Sequence, residues 1–191
     1  REAESLASVI GRTARIYCVK SSRVARLCAL VSNPSVRAAS YKSLDRWLGN
    51  NTGSRSLLYG LESLSGRGDL ALTGLYKLDQ VVGHGRGLLA SSLRVCPDCV
   101  HPERGSGYGM LCHQMQYVTR CPKHETPLND RCLSCGSKFA PYQDLLPGAV
   151  CSRCHLHLWD QHRFGAELSR YERWCEIQVL DLVAHGIELL G

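Results

Sequence analysis

The strongest constraint on the fold of this chain is a set of four short pairs of metal-binding side chains in its second half. The pairs, each with two residues between its members, are Cys96/Cys99, Cys121/His124, Cys132/Cys135 and Cys151/Cys154. A gap of two residues lets one tight turn direct both ligand atoms at the same ion, and a structural zinc site needs four such ligands in a tetrahedron. The eight residues therefore predict two structural zinc ions per chain.

The order of the pairs favours consecutive pairing. The first two pairs then enclose a loop of 21 residues and the last two a loop of 15 residues, both normal lengths for zinc modules. An interleaved arrangement, in which the first pair joins the third and the second joins the fourth, is the alternative. A single site within residues 121–135 is rejected, because the outer pairs would then lack partners.

Other roles for these residues fit the sequence less well. The segment "CSRCH" (151–155) matches the pattern for covalent haem attachment. Covalent haem attachment takes place after export, and the sequence shows no export signal. Buried reduced cysteines would not need this spacing. A catalytic zinc keeps one position open for water, whereas each predicted site is closed by four protein ligands, so Glu125 beside His124 has no activated water to serve.

The remaining cysteines and histidines show no ligand spacing. We predict that four cysteines are core thiols: Cys18, Cys28, Cys112 and Cys175. Four histidines are substitute ligands only if a regular pair is broken: His101, His113, His155 and His157.

Composition and charge indicate a soluble protein with a basic first third. Of the 191 residues, 44% are hydrophobic and 21% charged, and no apolar run reaches the roughly 18 residues of a membrane span. Eleven cysteines without an export signal fit metal binding in a reducing cytoplasm. Residues 1–60 carry ten Lys/Arg and three Asp/Glu, which suggests contact with phosphates, whereas residues 61–191 carry 13 and 14. Zinc bound by three and by four thiolates makes the second region more acidic.

Apolar periodicity predicts helices at both ends of the chain. The first has Leu6, Val9, Ile10, Thr13, Ala14 and Tyr17 on one face, and the second has Val24, Leu27, Cys28 and Val31 inward. A helix over 41–48, a turn, and a helix over 54–64 predict a helix-turn-helix, with Leu44, Leu48, Leu57, Leu58 and Leu61 buried. A broad stripe from Leu168 to Val183, which includes Tyr171, Trp174 and Ile177, predicts a C-terminal helix that is either core or a docking face.

The predicted fold is mainly α-helical with small zinc-stabilised modules. The expected domains are a helical N-terminal domain with the helix-turn-helix (1–65), a Gly-rich connector with short helical turns (66–93), tandem zinc-finger or zinc-ribbon modules (94–160), and a C-terminal amphipathic helix (161–191). The candidate DNA-phosphate contacts are Arg12, Arg15, Lys20, Arg23, Arg26 and Arg55. Because Arg55 is the single charge at the start of the second predicted helix, base-specific reading is the less favoured alternative to a purely structural helix pair.

Several segments resemble the TniQ family, which includes the TnsD target selectors. They are "RVCPDC" (94–99), "HQMQYVTRCPKHETPL" (113–128) and "CLSCG" (132–136), with weaker similarity in "ESLASVIGRTAR" and "LGNNTGSRSLLYGLESL". The family pattern usually has Gly at the position of Glu125 and Leu at that of Met115, and Cys112 takes a position more often polar. None of these departures affects a predicted zinc ligand.

The resemblance implies a non-enzymatic role in DNA transposition in the bacterial cytoplasm. Members link target recognition, by their own DNA-binding domain or by a CRISPR effector bound to guide RNA, to an AAA+ ATPase of the TnsC/TniB kind. The chain is then a short member or part of a longer one. The sequence does not decide whether it forms a homodimer. We expect the loop over 100–110 to contact the ATPase through Glu103 and Tyr108. The alternatives are a sequence-specific DNA-binding regulator and, less favoured, a zinc enzyme.

Overall fold

The computed structural model describes residues 4–32, 51–76, 87–103, 105, 107–139, 149–163, 165 and 167–188. Within these ranges the chain forms helices α1 (Leu6–Ile16), α2 (Ser21–Ser32), α3 (Thr52–Ser65) and α4 (Arg170–Glu188). Two 3₁₀ helices span Leu70–Thr73 and Cys112–Gln114. In the same ranges, β structure is limited to isolated bridges. The prediction of a mainly helical chain with small Cys/His modules is confirmed.

Helix α1 begins at a serine cap and buries one face. The side chain of Ser5 accepts a hydrogen bond from the backbone N–H of Ser8 at 3.3 Å, which satisfies one of the unpaired donors of the first turn. The predicted apolar residues Leu6, Val9 and Ile10 are buried. The prediction that Tyr17 points inward is wrong: its side chain is 72% exposed, because the helix ends at Ile16 before the next inward position.

Helices α2 and α3 pack closely because their contact is lined by small residues. The buried face of α2 contains Ala25, Cys28 and Ala29, and a Cβ added to Gly60 of α3 would lie 1.9 Å from the carbonyl oxygen of Cys28. The predicted inward positions Leu27 and Val31 are wrong, since about half of each side chain is exposed. The apolar periodicity of α2 alone does not decide between the face with Leu27 and Val31 and the face with Ala25 and Ala29. The small side chains of the second face allow the close contact with α3.

The second helix of the predicted helix-turn-helix is present. Leu57, Leu58 and Leu61 are buried as predicted. Helix α3 begins at Thr52, two residues earlier than predicted, because Asn51 Oδ1 accepts hydrogen bonds from the backbone N–H groups of Gly53 and Ser54.

The predicted helix over 41–48, with Leu44 and Leu48, lies outside the described residues. The helix-turn-helix as a whole therefore stays a prediction. Part of the predicted connector is described, and it contains the 3₁₀ turn Leu70–Thr73.

Helix α4 buries a narrower stripe than its sequence suggested. Val179 and Val183 are buried, whereas Tyr171, Trp174 and Ile177 are 72%, 57% and 49% exposed. The Glu176 carboxylate accepts hydrogen bonds from the backbone N–H groups of Thr119 and Arg120, which ties this helix to the segment before Cys121. None of the described helices combines the length and apolarity that crossing a bilayer requires.

The loop over 100–110 lies in the zinc half of the chain (residues 94–163) and contacts the helical half (residues 1–65) through its described residues. The backbone N–H of Ser5 donates to the carbonyl oxygen of Gly109 at 2.9 Å, and the N–H of Gly109 donates to Ser8 Oγ at 3.0 Å. Glu4 and Met110 form an antiparallel bridge, and Met110 is 1% exposed. The end of this loop therefore packs on α1, where the sequence had suggested an exposed loop.

Candidate metal centres

The first candidate metal centre, site one, is formed by Cys96, Cys99, Cys121 and His124. All four ligand atoms lie within 4.8 Å of one another, and the three cysteines are fully buried. His124 Nδ1 lies 3.5 Å from Cys96 Sγ, 3.4 Å from Cys99 Sγ and 3.6 Å from Cys121 Sγ. The sulfur atoms of Cys99 and Cys121 are 3.6 Å apart. Nδ1 is thus the ring nitrogen that faces the centre.

The second centre, site two, is formed by Cys132, Cys135, Cys151 and Cys154. Its ligand atoms also lie within 4.8 Å of one another, but Cys135 and Cys154 are only partly buried. The sulfur atoms of Cys132 and Cys154 are 3.5 Å apart, and those of Cys135 and Cys151 are 3.7 Å apart. Site two is therefore more open to solvent than site one.

Both groups fit tetrahedral zinc. Zinc bonds of about 2.3 Å to sulfur and 2.0 Å to nitrogen place two sulfur ligands about 3.8 Å apart, and a sulfur and a nitrogen about 3.5 Å apart. The observed separations, 3.5 to 3.7 Å between sulfurs and 3.4 to 3.6 Å between sulfur and Nδ1, agree with these values. The structure groups the pairs consecutively, so the interleaved arrangement is excluded. A bound zinc would hold each module together.

Three of the four ligand pairs share one turn geometry. The residue after the second ligand donates its backbone N–H to the carbonyl oxygen of the first ligand, at 2.8 Å for Glu125 to Cys121 and 2.9 Å for both Gly136 to Cys132 and His155 to Cys151. This residue has a left-handed backbone, with φ of 55° at Glu125, 68° at Gly136 and 60° at His155. Glycine adopts this conformation without strain, whereas Glu125 and His155 do not.

The surroundings of the sulfur atoms favour thiolates at two positions. Burial opposes ionisation of Cys132, but the backbone N–H groups of Cys135 and Ser134 and the side chains of Cys154 and Gln161 outweigh it and lower its pKa to about 6. In site one, the neighbouring thiols of Cys96 and Cys99 hold the pKa of Cys121 well below its usual range. Zinc binds the thiolate form of cysteine, and Cys121 and Cys132 are ligands whose surroundings favour that form.

Arg94 and Gln114 connect the two halves of site one. The guanidinium of Arg94 donates to the carbonyl oxygens of Met115, Gln116 and Val118 at 3.0, 3.1 and 2.7 Å. The side chain of Gln114 accepts from the backbone N–H of Arg94 and donates to its carbonyl oxygen, both at 2.9 Å. The segment before Cys96 is thereby fixed to the segment before Cys121. The arginine in "RVCPDC" and the glutamine in "HQM" therefore have a supporting role that the sequence analysis did not assign.

Gln161 has a comparable role in site two, and the sequence analysis missed it. Its Oε1 accepts from the backbone N–H of Leu133 at 2.7 Å, and its Nε2 donates to the carbonyl oxygen of His157 at 3.1 Å. Its own carbonyl oxygen accepts from Asn129 Nδ2 at 2.7 Å. A single glutamine outside any motif carries no sequence signal for this role.

The candidate DNA contacts are placed on or beside the helices, but not as one group. Arg12 forms a two-bond ion pair with Glu4, at 2.7 Å from Nε to Oε1 and 2.5 Å from Nη2 to Oε2, so its charge is largely compensated. Lys20 lies immediately before α2 and Arg23 and Arg26 lie within it; all three are exposed and spaced at three-residue intervals. Two more exposed candidates lie elsewhere, Arg15 in the last turn of α1 and Arg55 in the first turn of α3.

The candidate partner residues lie in different environments. Glu103 is exposed, whereas Tyr108 is half-buried and packs against the core. Tyr108 also lines a cavity of about 330 Å³ between α1 and site one, together with Arg12, Arg15 and His113. Tyr108 therefore supports the loop as well as presenting part of its ring to solvent.

A second concave surface, the arginine groove, lies on the zinc half. Its volume is about 510 Å³, and its lining includes Arg94, Arg120, Arg131 and Arg163 with one acidic residue, Asp130. Arg131 pairs with Asp130 at 3.2 Å. Four of the arginines of the zinc half thus line one surface.

Among the described residues, the other cysteines and histidines are not brought into either centre. Cys28 is buried as predicted, and burial raises its pKa to about 11. The prediction that Cys18 is a core thiol is wrong, because it follows the end of α1 and is exposed. His157 stacks on Trp159 with ring centroids 4.0 Å apart, and His101 lies 6.1 Å from the same ring. Within the described residues, His113 is fully buried without a hydrogen-bond partner.

A model of the TniQ family matches residues 1–128 of this sequence. The chain belongs to the TniQ family. The match includes α1, α2, α3 and all four residues of site one, whereas the residues of site two follow it. The family is associated with target selection in DNA transposition and is generally non-catalytic. No curated protein matches the sequence.

Proposed function

We propose that this TniQ-family chain is a non-enzymatic adaptor that links target recognition to an AAA+ ATPase of the transposition machinery. The observation that carries the proposal is the family match over residues 1–128, which unites the helices with site one. The direct hydrogen bonds between Ser5, Ser8 and Gly109 make these two parts one continuous unit. Both candidate metal centres are closed by four side chains, which suits a scaffold rather than a hydrolytic centre.

The proposed partner of this adaptor is an AAA+ ATPase of the TnsC/TniB kind. The experiment is retention of the ATPase on the immobilised, zinc-loaded chain, with and without target DNA and nucleotide. A CRISPR effector loaded with guide RNA is added in a further arm, because recognition by such a complex is the other source of target information. Retention in any arm supports the adaptor, and absence of retention in all arms contradicts it.

We propose that the loop over 100–110 contributes to the ATPase contact. Glu103→Lys changes an exposed charge, and Tyr108→Phe removes only a hydroxyl from a ring that packs on the core. We expect both variants to keep two zinc ions and the wild-type melting temperature while ATPase retention falls. Tyr117→Phe, at a tyrosine that is 51% exposed elsewhere on the zinc half, is the matched control. Unchanged retention in the Glu103 and Tyr108 variants would move the contact to the helical half.

We propose that direct DNA contact, where it occurs, uses phosphates and the exposed basic side of α2. Each phosphate contact contributes about 0.9 to the slope of log affinity against log salt concentration. The triple variant Lys20→Glu, Arg23→Glu, Arg26→Glu should lower this slope for non-specific DNA. Arg12→Gln should change it less, because Arg12 is already paired with Glu4. The opposing arm is Arg131→Glu with Arg163→Glu in the arginine groove, and loss of binding only in that arm would place the DNA contact on the zinc half.

Tight binding of the purified chain to one sequence, with a large preference over unrelated DNA, would instead support the DNA-binding regulator. The exposed Arg55 in the first turn of α3 is the residue through which such base contact would be tested. Arg55→Ala should then relax the preference at one base position. If the chain is instead an adaptor that relies on partners, it should bind DNA weakly, in a salt-sensitive way and without sequence preference. Arg55→Ala should then leave that lack of preference unchanged.

A further inference from the structure

The arginine groove concentrates positive charge in a region of the chain that is not basic overall. Residues 61–191 carry 13 Lys/Arg and 14 Asp/Glu, yet four arginines against one aspartate line this groove and give its lining a formal charge of +3. Neutral side chains with hydrogen-bond donors, Ser91, Ser92 and Thr119, also line it. Because like charges repel where they converge, a concave surface of this kind gains stability when an anion enters it.

Two of the four guanidinium groups are held in place by the backbone. Arg94 donates from Nη1 to three carbonyl oxygens, and its Nε and Nη2 have no partner among the described residues. Arg120 donates from Nη1 to the carbonyl oxygen of Glu125 at 3.1 Å. A Cβ added to Gly165 would lie 2.9 Å from Arg120 Nη2, so this glycine lets the backbone pass directly against the guanidinium. These contacts fix both groups through neutral atoms, which do not cancel their charge.

The other two guanidinium groups lie at the surface. Arg131 forms an ion pair with Asp130 at 3.2 Å, in which the two side chains are 44% and 28% exposed. Such exposed pairs contribute little to stability, so an anionic ligand replaces Asp130 at small cost. Arg163 is exposed and makes no hydrogen bond or ion pair among the described residues. The groove thus has two fixed cations and two that are free to move toward a ligand.

An exposed aromatic residue belongs to the segment that forms one wall of the groove. Tyr117 lies in the sequence between the lining residues Gln116 and Thr119, and its side chain is 51% exposed. Proteins that bind single-stranded nucleic acid combine a positively charged groove, which follows the phosphate backbone, with aromatic side chains on which bases stack. The wall of the arginine groove contains both elements.

Helix α4 brings two more exposed aromatic residues to the same segment. The Glu176 carboxylate accepts hydrogen bonds from the backbone N–H groups of Thr119 and Arg120, both of which line the groove. In the first half of this helix, Tyr171 and Trp174 are exposed and stack on each other, with ring centroids 6.2 Å apart. Exposed aromatic surface is therefore present on two elements that meet at this wall.

We propose that the arginine groove binds the phosphates of a single nucleic-acid strand. The planar guanidinium fork matches phosphate oxygens, and serine and threonine hydroxyls are common donors to phosphates. A recess of about 510 Å³ has the size of a small-ligand pocket, so it admits a few groups of one strand rather than the full width of a duplex. The site is separate from the basic residues of α2, and it goes beyond the adaptor role because it does not depend on contact with the ATPase.

The test measures binding of single-stranded and duplex DNA of about 12 nucleotides to the zinc-loaded full chain, at several salt concentrations. Each phosphate contact with a single strand contributes about 0.7 to the slope of log affinity against log salt concentration. We expect Arg131→Gln with Arg163→Gln to lower the slope for the single strand by about 1.4, and to weaken single-strand binding more than duplex binding. Arg153→Gln with Arg173→Gln removes the same charge from exposed side chains outside the groove, and this matched control should change the slope less. Retention of the ATPase should be the same in all of these proteins.

Equal slopes for the groove variant and its control would overturn the proposal, and so would a wild-type protein that binds no single strand. A duplex that binds as tightly as the single strand and is weakened equally would show that the groove does not select one strand. Displacement of the strand by ATP at the same phosphate concentration would identify a site for free nucleotides and would also contradict the proposal.

A measurement on the unmodified sequence covers the case in which the groove variant does not fold. The Nε–H resonance of Arg94, which has no protein partner among the described residues, should shift in the NMR spectrum when the single strand is added. A strand that binds without shifting this resonance would place the contact outside the groove.

Discussion

Site one and site two have similar local turns but different surroundings. The three cysteines of site one are fully buried, and the loop between its ligand pairs is hydrogen-bonded to α1 through Gly109. Two cysteines of site two are partly exposed, and among the described residues its contacts include the Val95–Asn129 bridge, the hydrogen bond from Leu93 N–H to the carbonyl oxygen of Phe139, and those of Gln161. The difference indicates that site one belongs to the core shared with the helices, whereas site two is a module attached to it. The family match ends between the two, at residue 128.

The largest expected effect on stability comes from removing one metal ligand from each centre in separate variants. Structural zinc contributes on the order of 10 kcal/mol to the folding of such small sites, so Cys121→Ser and Cys132→Ser should each lose one zinc ion and unfold their own module. We expect Cys121→Ser also to lower the helical content and the melting temperature of the remaining chain, because α1 packs on the loop of site one. Elemental analysis and circular dichroism measure both. Equal melting temperatures for the two variants would remove the distinction between the sites.

A second prediction concerns the helical half without touching either centre. Gly60→Ala places a Cβ 1.9 Å from the carbonyl oxygen of Cys28, so α2 and α3 must move apart. Overpacking of this kind costs about 1–3 kcal/mol or more, which denaturant unfolding would detect. Gly11→Ala in α1 is the matched control, since its Cβ meets no atom within 4 Å, and it should be neutral or slightly stabilising. Loss of zinc from Gly60→Ala would show that α2 and α3 also support a metal centre.

The smallest predicted effect tests whether the shared turns of the two sites are equivalent. Glu125→Gly and His155→Gly place glycine at left-handed positions with φ of 55° and 60°. Each should stabilise its own module by about 1 kcal/mol, and Gly136→Ala, at φ 68°, should destabilise site two by a similar amount. Zinc affinity measured by competition with a chelator reports the change at each site. A destabilising Glu125→Gly would mean that the glutamate side chain has a role that its exposed position does not indicate.

Patterns that depend on ligand chemistry were predictable from the sequence, and patterns that depend on packing partners were predictable only in part. A two-residue gap restricts the turn so strongly that the eight residues form the two expected groups. The buried face of α2 was assigned incorrectly at Leu27 and Val31, because the deciding partner, Gly60, lies about thirty residues away in α3. The roles of Arg94, Gln114 and Gln161 arise from hydrogen bonds between segments distant in sequence. A single sequence contains no local signal for such contacts.

The most direct test of the difference between the sites is hydrogen exchange of α1 in the zinc-loaded full chain and in the two ligand variants. Helix α1 (Leu6–Ile16) contacts Gly109, at the end of the loop that site one encloses, through hydrogen bonds of Ser5 and Ser8. We predict that Cys121→Ser strongly accelerates exchange in α1, whereas Cys132→Ser leaves α1 as protected as in the wild type. Protection of α1 that survives Cys121→Ser, or that is lost equally in Cys132→Ser, would contradict the assignment of site one to the helical core.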